Sequence, residues 1–380
     1  MSGHANITAE TIANNQQLKL ACQQWQQAQL LALDTEFIRT DTFYPIAGLL
    51  QLSDGERCYL LDPLTIDEWA PFVELLQDES IVKVLHSCSE DLEVFDRLFS
   101  VLPSPLFDTQ IAAAMLGFGF SLSYQNLVEQ QLGIHVEKGE TRSNWLQRPL
   151  SDAQKHYAIL DVEYLPEIYQ KLADALIASN KLAWQQEECR LMASNFYQAE
   201  PYYKKVKSAW KLPAKKLLVL DKLTQWREQT ARRDNVPRGR VLDDRCCFAI
   251  VDKMPSSKQQ LSQTPDIRHK TLRLYSDDIL SLVNDAKNTN SEALPEALPE
   301  ALPKPLPSSC NPVLKQLKAH TQETAKALNT APEVLVKKRD YEALLRSGLQ
   351  GAQYHLPKSL SGWRKAVIGD ALLALCQDQH

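Results

Sequence analysis

The chain has 380 residues, 44% hydrophobic and 23% charged, a composition that suits two or three folded domains and excludes a disordered or fibrous chain. Its apolar runs fall far short of the roughly 20 residues that span a bilayer, and the first residues lack a basic stretch followed by an apolar one. No membrane segment or secretory leader is therefore expected, and the protein is expected in the cytoplasm.

The net charge of −5 hides a split, because residues 1–200 hold 12 Lys/Arg against 28 Asp/Glu whereas residues 201–380 hold 30 against 19. Such asymmetry hints at nucleic acid, although well-solvated helices carry the same signature. The eight cysteines form no C-x-x-C pair and no Cys/His cluster at zinc spacing, so they read as reduced and inert.

Residues 11–28 read as a helix that leads into an apolar run at 30–37, which fits a buried strand. Two further apolar runs, 49–52 and 57–61, flank an Asp54-Gly55 pair, a strong hairpin signal. Three strands, antiparallel neighbours, thus open the domain. A helix at 72–76, a strand at 81–85, a helix over 89–99, a short strand at 106–107 and helices to about 195 complete a mixed sheet with helices around it. This is an α/β domain over residues 1–200.

Beyond it the strand signals stop. Residues 208–287 read as short helices joined by loops at Pro213, Pro237, Pro255 and Pro265. Glu-Ala-Leu-Pro then occurs three times, at 292–295, 296–299 and 300–303. A proline at every fourth position forbids a continuous helix, so 288–309 reads as an extended linker. Residues 310–380 read as helical again, over 314–328, 332–345 and 363–375.

Three places carry candidate chemistry. Asp34 and Glu36 are two apart on a strand, so both carboxylates share a face. Like charges at the end of an apolar strand repel, and a bound cation would remove that cost; a chain this acidic also produces D-x-E by chance. Asp91 falls in the first turn of the helix after the 81–85 strand, where α/β sheets place their sites and where a helix dipole also favours any acid. Ser151 and Gln154 fit a capping box that starts a helix at 152 and puts Tyr157 and Asp161 one turn apart. On that helix Tyr157 lies about 40° around from Asp161 and His156 about 140°, so Tyr157 and not His156 is the expected companion. Asp108, before Thr109 and Gln110, reads as a helix cap in preference to a fifth ligand.

Together these elements resemble the three exonuclease motifs of the DEDD superfamily. The stretches D-T-E-F-I-R-T at 34–40, His86 with S-E-D-L-E-V-F at 89–95, and S-N-W-L-Q-R-P-L at 143–150 leading into Y-A-I-L-D-V-E-Y-L at 157–165 resemble the ribonuclease D family in particular. The resemblance implies a ribonuclease H-like exonuclease domain followed by two small all-α domains of the helicase-and-ribonuclease-D C-terminal (HRDC) type, at 208–287 and 310–380. It implies that Asp34, Glu36, Asp91 and Asp161 hold two divalent cations, Mg²⁺ or Mn²⁺, that Tyr157 assists the attacking water, and that the substrates are tRNA precursors or other structured small RNAs with a 3′ tail. It further suggests a monomer with substrate contacts from Trp145 and Arg148, beside those that the basic run itself suggests for Lys204, Lys205, Lys207 and Trp210.

Two other readings share these features. A DNA 3′→5′ exonuclease of proofreading type would use the same acids and tyrosine, and a non-catalytic nucleic-acid-binding scaffold is the alternative from another class. A helicase is excluded, because no G-x-x-x-x-G-K-[ST] loop is present to cradle a nucleotide.

Overall fold

The computed structural model describes residues 9–137, 139, 143–198, 200–288, 299–349 and 353–377. Most of the proline repeat, 289–298, lies outside the described residues. The chain forms two compact units: the first comprises Met1–Ile38, Ile46–Ser194 and Leu306–His380, the second Arg39–Pro45 and Asn195–Pro305.

Six strands make the sheet of the first unit: β1 (Ala9–Ile12), β2 (Leu30–Ile38), β3 (Ile46–Ser53), β4 (Cys58–Leu61), β5 (Val82–Leu85) and β6 (Leu106–Asp108), in the order β1-β4-β3-β2-β5-β6. The expected antiparallel trio is β2, β3 and β4, with Gly55 at φ 93° in the turn between the last two. Asp54 closes that turn by accepting hydrogen bonds from the Glu56 and Arg57 N–H groups. β5 and β6 add in parallel to one side and β1 pairs in parallel with β4 on the other. β1 corrects the expected helix at 11–28, which is shorter: α1 spans Asn15–Trp25 and starts at the side-chain cap of Asn14.

Side chains alternate across the sheet, and each face has its own helices. α1, α2 (Ala70–Gln77) and α3 (Ser89–Phe99) cover the face of Leu31, Leu33 and Tyr59, where the rings of Trp25 and Tyr59 meet edge to face at 5.0 Å. On the face of Ala32 and Val84 lie α4 (Thr109–Met115), α5 (Tyr124–Leu132), α6 (Asp152–Glu163) and α7 (Leu165–Ala178), followed by α8 (Leu182–Phe196).

The second unit contains α9 (Ala214–Arg233), α10 (Arg238–Val241), α11 (Asp244–Lys253), α12 (Lys258–Ser262) and α13 (His269–Asn288). Two of these helices have 20 residues, longer than the short helices expected, because no proline falls within either. Here the Phe43 ring lies under the guanidinium groups of Arg232 and Arg238, 4.8 and 4.6 Å from its centroid, and Asn235 accepts from the Phe43 and Tyr44 N–H groups.

The C-terminal helices α14 (Asn311–Ala327), α15 (Pro332–Leu335), α16 (Lys338–Ser347) and α17 (Asp370–Gln377) belong to the first unit. Leu317, Leu335, Leu344 and Leu372 share one hydrophobic core with Met115, Leu127 and Leu172. Lys181 donates to the carbonyls of Met115, Leu328 and Asn329, and Trp363 stacks on Trp184 with ring centroids 4.5 Å apart. All eight cysteines are free and buried, and among the described residues no helix is long and apolar enough to cross a membrane.

Candidate active site

The site lies where β2 outruns its neighbour. Pairing between β2 and β5 ends at Ala32–Val84, so Asp34, Thr35 and Glu36 continue past the last rung. On the other edge Glu36 pairs with Leu49 but Phe37 with Ala47, which leaves Gly48 as the extra residue of a bulge in β3. Such a bulge bends the strand and re-aims the side chains beside it.

Asp34 and Glu36 face α6, whose start at Asp152 is fixed by the capping box: Ser151 Oγ accepts from the Gln154 N–H, and Gln154 Oε1 from the Ser151 N–H. From this start Asp161 comes down over the strand. The carboxylates of Asp34, Glu36 and Asp161 lie within 4.8 Å of one another. Tyr157, one turn earlier, hydrogen-bonds Asp161 and lines the same cleft, whereas exposed His156 lines an adjoining cavity.

Asp91 arrives from the other face of the sheet. Thr35 points that way, between the two acids of β2, and its hydroxyl donates to Asp91 Oδ1. The helix that carries Asp91 is anchored by Asp108, which caps α4 through the Gln110 and Ile111 N–H groups and accepts from those of Ser87 and Cys88. The capping role expected of Asp108 is thus observed, together with a second task at the start of α3.

All five expected residues therefore line one cleft of about 240 Å³, with His86, Glu90, Tyr124 and Gln125 among its other walls. Among the described residues no Lys or Arg lines it. Burial, then Asp91, Asp161 and Glu36, holds the Asp34 carboxyl well above the usual range. Burial pushes Glu36 up to about 9, with Asp161 and Asp91 adding to the effect. Asp161 is pushed up to about 7 by burial against the opposing Tyr157 hydrogen bond, and Asp91 to about 6 against that of Thr35. Burial followed by the charges of Asp161, Glu36 and Asp34 raises the Tyr157 phenol, which stays protonated.

A buried nest of carboxylates that raise one another's pKa is costly unless protons or cations are bound. Its hard oxygen donors fit Mg²⁺ or Mn²⁺. The residues present therefore fit a divalent-cation centre.

Trp145 and Arg148, expected as substrate contacts, are not among the residues that line the cleft. Trp145 is 1% exposed and packs with Leu49, Leu60 and Ala158, its ring 6.2 Å from that of Tyr157. A Cβ on Gly48 would stand 2.6 Å from the Trp145 Cβ and carbonyl oxygen, so only glycine lets the Trp145 backbone come this close. Arg148 grips Asp62 with two hydrogen bonds of 2.6 and 2.7 Å and also donates to the Gly48 and Trp145 carbonyls. The 145–148 segment thus braces the wall behind Tyr157.

In the second unit Lys205 and Lys207 are exposed, Lys204 pairs with Glu300 at 2.6 Å, and Trp210 is half-buried with Lys211 over its ring. Thr35, whose signal in the sequence is only a hydroxyl between two acids, and His86 are two further residues of the cleft without a role assigned from sequence. The His86 Nε2 hydrogen-bonds the Leu122 carbonyl and its Nδ1 the Thr109 hydroxyl.

Residues 9–177 match the family model of a 3′-5′ exonuclease, and residues 216–283 that of the HRDC domain. The chain is 45% identical over 369 residues to ribonuclease D of Pseudomonas paraeruginosa, covering 95% of this chain and 96% of that one. With ribonuclease D of Escherichia coli it shares 35% over 373 residues, 97% of this chain and 98% of the other. The crystal structure of Escherichia coli RNase D, an exoribonuclease involved in structured RNA processing, matches with a TM-score of 0.89 at 33% identity, over 98% of this chain and 99% of that one.

Proposed function

This chain belongs to the ribonuclease D family of 3′→5′ exoribonucleases, and from that premise we propose that Asp34, Glu36, Asp91 and Asp161 hold two divalent cations, Mg²⁺ or Mn²⁺, with which it trims the 3′ ends of tRNA precursors and other structured small RNAs. The observation that carries the reading is the convergence of three carboxylates within 4.8 Å, from a strand and a helix far apart in sequence, in one cleft.

When bound, the cations neutralise charge at the phosphodiester and lower the pKa of water. The rest of the work falls to the chain's own groups. Asp34 and Glu36 on β2 and Asp161 on α6 present oxygens to one point, and Thr35 orients Asp91 toward it. Tyr157 stays protonated, so it orients the attacking water by a hydrogen bond and does not serve as a strong base. The water oxygen bonds to phosphorus as the bond to the 3′ oxygen of the preceding nucleotide breaks. That oxygen leaves with a proton, and a nucleoside 5′-monophosphate is released. The structured-RNA role of the Escherichia coli relative and the exposed Lys205 and Lys207 support RNA as the substrate, through phosphate contacts that weaken with salt.

The test is a 5′-labelled tRNA precursor carrying an unpaired 3′ tail, incubated with Mg²⁺ or with EDTA beside a DNA of the same sequence. A one-nucleotide ladder from the 3′ end that needs Mg²⁺ and outpaces the DNA is expected. A ladder that persists in EDTA would overturn the cation assignment, and equal rates on DNA would overturn the preference for RNA.

A further inference from the structure

Gln51 sits in the middle of β3, 0% exposed, and among the described residues neither its amide nitrogen nor its amide oxygen has a hydrogen-bond partner. A buried amide left unpaired is destabilising, and an apolar side chain of the same shape would suit a purely structural position better. Its place in the register points to the reason for its presence. Gln51 pairs directly with Asp34 across the β2–β3 ladder, so the two side chains stand on the same face with Cβ atoms about 5 Å apart. On the other side it pairs with Leu60, and the next residue along β3 on that face is Leu49, so neither neighbour offers a polar atom. Ser53, two positions the other way, is already engaged with the Gly55 N–H.

Asp34 has room for such a donor. An ionised carboxylate offers about four lone-pair sites, and the structure gives Asp34 the Thr35 N–H as a hydrogen-bond donor. Ligands of a metal are themselves held by hydrogen bonds from behind, and loss of such a bond weakens binding. We infer that Gln51 is a positioning residue, whose amide N–H donates to the Asp34 carboxylate from beneath when cations are bound and fixes the oxygen that faces them. The inference rests on the cation centre proposed above.

The experiment uses the full-length protein, Gln51→Met as a variant of matching shape without the amide, and Mn²⁺ as the probe. Mn²⁺ binding is measured by titration calorimetry, and the thermal midpoint is measured in EDTA. The midpoint of Gln51→Met should equal or exceed that of the parent, while its Kd for Mn²⁺ rises by about tenfold or more. A Kd within about twofold of the parent, with the midpoint unchanged or raised, would overturn the positioning role. Should Gln51→Met fail to fold, Gln51→Asn keeps the amide but withdraws it by one methylene, and the same loss of affinity is expected. No Mn²⁺ binding by the parent protein would instead overturn the cation centre itself, so the two failures are distinguishable.

Discussion

At the scale of single residues the site is a set of groups held in unfavourable company. Glu36, Asp161 and Asp91 are pushed up to about 9, 7 and 6, each chiefly by burial, and Asp34 is raised as well. A carboxyl whose folded-state pKa is raised binds more protons folded than unfolded, so its contribution to stability is present at low pH and lost as pH rises through the folded value. In EDTA the thermal midpoint should therefore fall from about pH 4, the ordinary carboxylate range, to about pH 9, and Asp34→Asn should flatten the slope. Because cations compete with those protons, Mg²⁺ should raise the midpoint more at about pH 8 than at about pH 6. Calorimetric melts across this range decide it, and a midpoint that climbs with pH in EDTA would contradict the clustering of the four acids. Strand alternation makes the shared face of Asp34 and Glu36 legible in the sequence and the Ser151 cap the phase of Tyr157 and Asp161, but that these pairs meet each other and Asp91 was implied only by the resemblance to the family. Thr35 and the burial of Trp145 were not, because each depends on a partner far away along the chain, and the place of Gln51 opposite Asp34 shows only in the ladder.

At the scale of elements, what matters is how two helices on opposite faces of a sheet meet at one point. α6 comes down on Asp34 and Glu36, and α3 reaches around the exposed end of β2 through Thr35. The position of α3 depends on Asp108, which is 1% exposed and ties the β5–α3 turn to the first turn of α4. Asp108→Ala should leave those N–H groups unpaired and cost at least about 2 kcal/mol in a denaturant titration. The same variant should weaken Mn²⁺ binding, because Asp91 rides on the freed helix. Full stability in Asp108→Ala would show that the turn holds without its anchor. The sequence predicted α3, β5 and β6 closely, since each is a short apolar run between clear breakers. β1 escaped because a four-residue strand with a single buried side chain has no periodic signal, only a partner in β4.

At the scale of the whole molecule, the proline repeat suggested that the last helical segment hangs from a tether, and where such a segment lands cannot be read from its own pattern. The amphipathic faces of α14 and α16 show that they need an apolar partner but do not identify it. The structure supplies one within the first unit. Ala331 N–H and the Thr330 hydroxyl donate to the Ala114 carbonyl, Asn329 donates to that of Leu116, and Arg364 pairs with both oxygens of Glu188 beside the stacked Trp184 and Trp363. Gly117, at φ 79°, has no room for a side chain against Asn329. A tethered appendage can be cut away without harm, whereas a segment that completes a core cannot. A chain ending at Pro305 would uncover Trp184, leave Lys181 with one carbonyl partner in place of three, and strand the Glu188 carboxylate. Loss of one large buried side chain alone costs about 3–5 kcal/mol, so that truncation should drop the melting temperature sharply or yield insoluble protein. Trp363→Ala in the intact chain should lower stability by an amount in that range while leaving the Mn²⁺ affinity of the folded protein unchanged. If instead the truncated chain melts with the full-length protein, the C-terminal helices are an appendage after all, and their contacts with α8 contribute nothing to the stability of the exonuclease unit.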